Sequence, residues 1–130
     1  MTSRPTTPDG EEGRFADRFA SLKRNFALGL AGRRDELAAG WQAWAACSAA
    51  DPPDAPDTPR AAAARAALAA GLHRLAGAAG AYGFDALGRQ ARDLERQVDS
   101  PDAVPAPLAA PFAALQHELA TIAGATAGAS

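Results

Sequence analysis

Two proline-rich runs divide this chain and set what it can become. DPPDAPDTP at 51–59 holds four prolines and DSPDAVPAP at 99–107 holds three. Proline lacks a backbone donor, clashes with the turn before it and pushes the preceding residue toward extended geometry, so neither run continues a helix. The stretches on either side carry apolar residues at three- and four-residue spacing, the period of an amphipathic helix. Strand-like alternation is absent from the sequence. The expectation is an all-α chain, an antiparallel four-helix-bundle-like fold joined by short turns and proline-rich loops.

Taken in order, residues 1–12 offer nothing apolar to bury and are expected to form a disordered lead-in. Phe15, Phe19, Leu22, Phe26 and Leu30, then Leu37, Trp41, Trp44 and Cys47, stay in helical phase. That predicts one helix over 14–48, or two that meet at a kink near Gly29 to Gly32. The tryptophans read as core packing, and Lys23, Arg24, Arg33 and Arg34 as solvated side chains. Thr58 before Pro59 is a helix start, a hydroxyl cap followed by proline at the first helical position. The helix that follows buries Leu68, Leu72, Leu75, Ala79 and Tyr82. Gly83 marks a turn, and Phe84, Leu87, Ala91, Leu94 and Val98 form the next stripe. A last helix carries Leu108, Phe112, Leu115, Leu119 and Ile122, with Pro111 tolerated in its first turn. A single helical domain is expected over 13–124, with 125–130 as a frayed tail.

Composition excludes several functions. Alanine dominates the apolar share, which predicts close-packed helices around a thin core. A net charge of −2 gives no electrostatic footprint for nucleic acid. The lone Cys47 cannot form an internal disulfide and reads as a buried thiol suited to a reducing compartment. No segment is long and uncharged enough to span a membrane, and MTSRPTTPDGEEG has no signal-peptide core, so a cytoplasmic protein is expected. Gly-rich phosphate loops, metal spacings of His and Cys, and a Ser/His/Asp set are all missing from the sequence; no metal and no cofactor are expected.

The chemistry gathers at His73. The positions three, four and seven residues away, Ala66, Ala69, Ala70, Ala76, Gly77 and Gly80, share its helix face and all are Ala or Gly. Interior glycines cost about 1 kcal/mol each against alanine, so a histidine that merely packed would not need such clearing. The clearing predicts an imidazole that another protein's active site can reach. His73 lies roughly 130° from the centre of its helix's apolar stripe and should be exposed. A hairpin folded about residue 84 sets position 73 level with 94 and 95, which brings Glu95 across from the ring. A carboxylate that accepts the Nδ1 proton leaves the Nε2 lone pair free as a nucleophile, able to hold a phosphoryl group as a phosphoramidate. Arg89, Arg92 and Arg96 lie on the side away from the core, with solvation as their default.

His73, Leu75, Gly77 and Gly83 in HRLAGAAGAYG, followed by Leu87 and the Leu94–Glu95 pair, resemble the motif of histidine-containing phosphotransfer (HPt) domains. Those are helical bundles that accept a phosphoryl group from an aspartate of a response-regulator receiver domain and pass it to another. The resemblance implies that His73 is the phosphoryl acceptor and that Glu95 steadies its ring. It implies receiver domains as partners, with a hybrid sensor kinase as a candidate upstream one, and a monomer without kinase activity of its own. Arg74, Ala76, Gly77, Gly80 and Arg92 are the expected partner-binding residues. One position departs from the family, which usually has lysine three residues after the histidine, where this chain has Ala76. Arg74 points about 100° away from His73 and substitutes poorly. The departure is expected to slow transfer or alter partner choice.

Two other readings stay open. One is a non-catalytic module, either a degenerate HPt domain that binds receivers without transfer or a helical dimerisation bundle. The other centres on His117 in QHELAT, which is similar to the phosphorylated core of sensor kinases. That core's proline is replaced by Ile122, and an exposed solvated histidine is the expectation.

Overall fold

The computed structural model describes residues 6–50, 52–56 and 58–128, with side chains from residue 12 onward. Among the described residues five α-helices follow one another: α1 Thr6–Leu28, α2 Leu30–Ala49, α3 Pro59–Ala81, α4 Asp85–Val98 and α5 Ala109–Gly128, the last preceded by a 3-10 turn at Ala106–Leu108. No strand occurs among the described residues. The bundle of α2, α3, α4 and α5 is the all-α fold that the proline breaks and helical periods predict.

The α3–α4 hairpin is the frame of the site. Thr58 caps α3, its Oγ1 accepting from the Ala61 amide at 3.3 Å with Pro59 in the first turn. Gly83 ends the turn with φ +83°, a conformation that glycine adopts without a Cβ penalty. Its amide donates to the Gly80 carbonyl at 3.2 Å and the Phe84 amide to Ala79 at 2.8 Å, the paired bonds of a Schellman cap. The two helices pack tightly because α4 presents Gly88 and Ala91 to α3, both buried. At the other end Arg65 of α3 donates to the Val98 carbonyl at 3.2 Å and lies 3.7 Å from the Asp99 carboxylate. The hairpin is thus pinned on both sides of His73.

The core runs through Leu68, Leu72, Leu75, Leu87, Leu94, Val98, Leu115 and Leu119, all fully enclosed, with Leu30, Leu37 and Trp44 from α2. Trp41 stacks on Phe112 at 4.5 Å between ring centroids and meets Trp44 edge-on at 5.5 Å. These rings tie α2 to α5, as expected of core tryptophans. Cys47 is buried, its thiol toward the Ala43 carbonyl.

The structure adds detail to the helix ends and to α1. Helical bonding passes through the α1–α2 junction, since Gly29 donates to the Asn25 carbonyl at 3.0 Å and Arg33 to the Gly29 carbonyl at 3.2 Å. The apolar period of α1 does not reach the core along its length: Phe15 is 69% exposed, and Phe19 and Leu22 are exposed too. Phe26 stacks on Tyr82 and meets Phe84 at a tilt beside the α3–α4 turn, and α1 then runs on past that turn, where Phe15 stacks on Phe19. Of the expected lead-in, residues 6–12 are helical and residues 1–5 lie outside the described ones. Every described residue from 12 to 25 is exposed. Residues 125–128 of the expected frayed tail are helical, and Ala125 and Thr126 line a shallow depression with Ala20, Lys23 and Ala27 of α1. Residues 129–130 are outside the described ones. Lys23 and Arg33 are not simply solvated, for they lie over the rings of Phe84 and Phe26.

Candidate functional site

His73 stands in the middle of α3 with its side chain 76% exposed, and Glu95 faces it from α4. The ring Nδ1 lies 3.1 Å from Glu95 Oε2 and 3.4 Å from Oε1. An ionised carboxylate can only accept, so Nδ1 donates and in the neutral ring Nε2 keeps its lone pair. Glu95 is the less exposed partner, at 22%. The pairing fixes the tautomer and turns the free nitrogen toward solvent.

The sequence expectation that α3 clears an arc around His73 holds for four positions and fails for two. Ala66, Ala70, Gly77 and Gly80 are exposed. Ala69 and Ala76 are buried. Ala76, at 2% exposure, forms the floor of the surface beside the histidine. The physical reason is that α3 is packed by α2 on one side and α4 on the other, so its buried arc is wider than a single stripe.

Two shallow depressions flank the His73–Glu95 pair. One is lined by His73 and Glu95 with Ala66, Ala69, Ala70, Arg74 and Asp99. The other lies one turn toward Gly83, with Ala76, Gly80 and Gly88 below and Asp85, Arg89 and Arg92 around it. The predicted Arg92 and Gly80 are thus together in one depression, whereas Arg74 borders both the His73 depression and a groove toward α2. Its guanidinium is 3.9 Å from the point a Cβ on Gly71 would occupy, in a groove it shares with Glu36 and Leu37. Gly77 is exposed between these regions.

Sequence reasoning missed Gly88 and Asp99. A Cβ on Gly88 would meet the Ala76 carbonyl at 3.4 Å, and its signal was a glycine inside a helix, four residues from Phe84 on the same stripe. Asp99 follows Glu95 by four residues, so it shares that face of the helix end. His117 is exposed on α5, its carbonyl accepting from the Thr121 hydroxyl at 2.9 Å.

Among the described residues no cluster of His, Cys, Asp and Glu could hold a metal ion, and no helix is long and apolar enough to cross a membrane. What remains is an oriented, reachable imidazole on a rigid hairpin. No curated protein and no solved structure gave a match. The Hpt domain family model matches residues 21–125, spanning both helices of the hairpin and most of the bundle, and the chain belongs to the Hpt domain family.

Proposed function

We propose that His73 accepts a phosphoryl group from the aspartyl phosphate of a response-regulator receiver domain and passes it to another receiver aspartate. The observation that carries this is the exposed His73 ring whose Nδ1 donates to Glu95 at 3.1 Å. The Nε2 lone pair attacks phosphorus, a P–N bond forms, and the P–O bond to the aspartate breaks, its electrons leaving with the carboxylate oxygen. No proton has to leave Nε2, and Glu95 holds the one on Nδ1 as the ring gains charge. Passing the group on reverses these bonds at a second receiver. The receiver docks over the exposed part of the α3 face, Gly77 and Gly80, with Arg74 and Arg92 at its sides. The protein works as a cytoplasmic monomer.

Incubation with a phosphorylated receiver should place an acid-labile label on the wild-type protein and none on His73→Gln, while His117→Gln labels normally. ATP alone should give no label. A full label on His73→Gln overturns the assignment. Receiver binding without any label on the wild type favours the module that binds without transfer, the outcome Ala76 makes conceivable.

A further inference from the structure

Phosphorylation would add roughly two negative charges at His73, and Glu95 already presents a carboxylate 3.1 Å from the other ring nitrogen. Charges of one sign this close oppose each other. A phosphoryl group that persists there needs a cation, and the arginines differ in how free they are to supply one.

Arg60, Arg65 and Arg96 are each engaged with a carboxylate, on Asp54, Asp99 and Asp93 respectively. Among the described residues Arg74, Arg89 and Arg92 make no ion pair or side-chain hydrogen bond. Arg74 borders the His73 depression as well as the α2 groove, with its guanidinium 3.9 Å from the point a Cβ on Gly71 would occupy. Arg92 and Arg89 instead border the depression over Ala76, Gly80 and Gly88. On α4, Arg92 precedes Glu95 by one turn, roughly 4.5 Å along the axis. The antiparallel hairpin sets it beside Ala76, one turn past His73. At that level α3 offers only a methyl at Ala76 and hydrogens at Gly77 and Gly80. An arginine side chain can lie across so low a surface, whereas a larger residue at 76 would occupy its path. Asp85 borders the same depression but forms no ion pair with either arginine among the described residues.

We propose that Arg92 is the cation that holds the phosphoryl group on His73, folding across Ala76 with Arg89 behind it. This rests on His73 being the acceptor. It gives α4 two parts in the site: Glu95 orients the ring through Nδ1, and Arg92 neutralises what Nε2 carries. A guanidinium suits the task because its fork can donate two parallel bonds to phosphoryl oxygens.

The test uses the full chain and phosphoramidate, a small phosphodonor whose ammonia leaves as the P–N bond to His73 forms, so no receiver is needed. After the donor is removed, Arg92→Ala should lose the label roughly fivefold faster or more than wild type. Arg92→Lys should fall between them, Arg14→Ala on α1 should match wild type, and a loss in Arg74→Ala that equals or exceeds that of Arg92→Ala overturns the proposal. In ³¹P NMR the bound phosphoryl group of wild type should titrate at lower pH than that of Arg92→Ala, a shift that a purely structural role would not produce. Equal lifetimes and equal titrations in wild type and Arg92→Ala overturn the proposal and leave His73 as the acceptor. A wild-type chain that takes no label on His73 sinks the phosphotransfer reading, and this proposal with it.

Discussion

Gly88 of α4 lies against the backbone of α3 at Ala76: a Cβ on Gly88 would stand 3.4 Å from the Ala76 carbonyl oxygen and 3.6 Å from the Gly80 amide nitrogen. The absence of a side chain there sets how closely the two helices approach, and that approach brings Glu95 within hydrogen-bonding distance of His73. A methyl can be accommodated at the edge of van der Waals contact, and alanine also favours the helix over glycine by about 1 kcal/mol. Gly88→Ala should therefore stay within about 1 kcal/mol of wild type. Gly88→Val drives branched atoms into backbone that cannot yield and should cost about 1–3 kcal/mol. Urea unfolding gives both values, and imidazole ¹⁵N NMR should show the His73 Nδ1 hydrogen bond weakened in the valine variant.

Glu95 acts through the ring and not on the phosphoryl group, so its two simplest replacements should part. Glutamine keeps an oxygen that can accept from Nδ1, whereas alanine leaves the ring free to turn and to change tautomer. Glu95→Gln should retain most of the transfer rate from a phosphorylated receiver. Glu95→Ala should lose roughly tenfold or more, the usual cost of removing a group that orients a histidine. Receiver affinity, measured separately by titration, should move little in either. Equal rates in all three proteins would remove Glu95 from the mechanism.

Much of this site was legible from spacing. The proline runs isolated the helices, Gly83 located the turn, and folding about it was enough to set Glu95 across from His73, because a tight hairpin fixes register to within a turn. Burial around the histidine was less legible. A single apolar stripe locates one packed face, but α3 has two neighbours, and small residues such as Ala69 and Ala76 carry no hydropathy signal strong enough to mark the second. The period of α1 misled in the opposite direction. Phe15, Phe19 and Leu22 announce an amphipathic helix correctly, yet periodicity says nothing about where the partner helices stop, and here they stop near the turn at Gly83.

That geometry makes α1 energetically uneven. Phe26 is buried against Tyr82 and Phe84, so Phe26→Ala should cost about 3–5 kcal/mol through lost burial and the cavity left behind. Phe15 exposes most of its surface, and Phe15→Ala should change stability by no more than about 0.5 kcal/mol, as surface substitutions do. Chemical denaturation of the two variants side by side tests the contrast. A comparable loss in both would mean that α1 packs along its whole length.

Arg65 links stability to the site. Its side chain, 15% exposed, reaches from α3 to the Val98 carbonyl at 3.2 Å, beside Asp99. It thereby satisfies a carbonyl at the C-terminal end of α4, where no further helical amide is available. Hydrogen bonds from a charged donor contribute about 1.5–3 kcal/mol, and Arg65→Met keeps much of the aliphatic stem while removing the donor, so a loss near the lower end of that range is expected. The effect should be local as well as global. Hydrogen exchange should speed up for amides 95–98, the last turn of α4, and much less for 87–91, which are held by Gly88 and Ala91 against α3. Because Glu95 sits in that loosened turn, its hydrogen bond to His73 should weaken in Arg65→Met while His73 stays as exposed as before. Uniform exchange along α4, or an unchanged last turn, would show that the helix end is held by its own packing and not by Arg65.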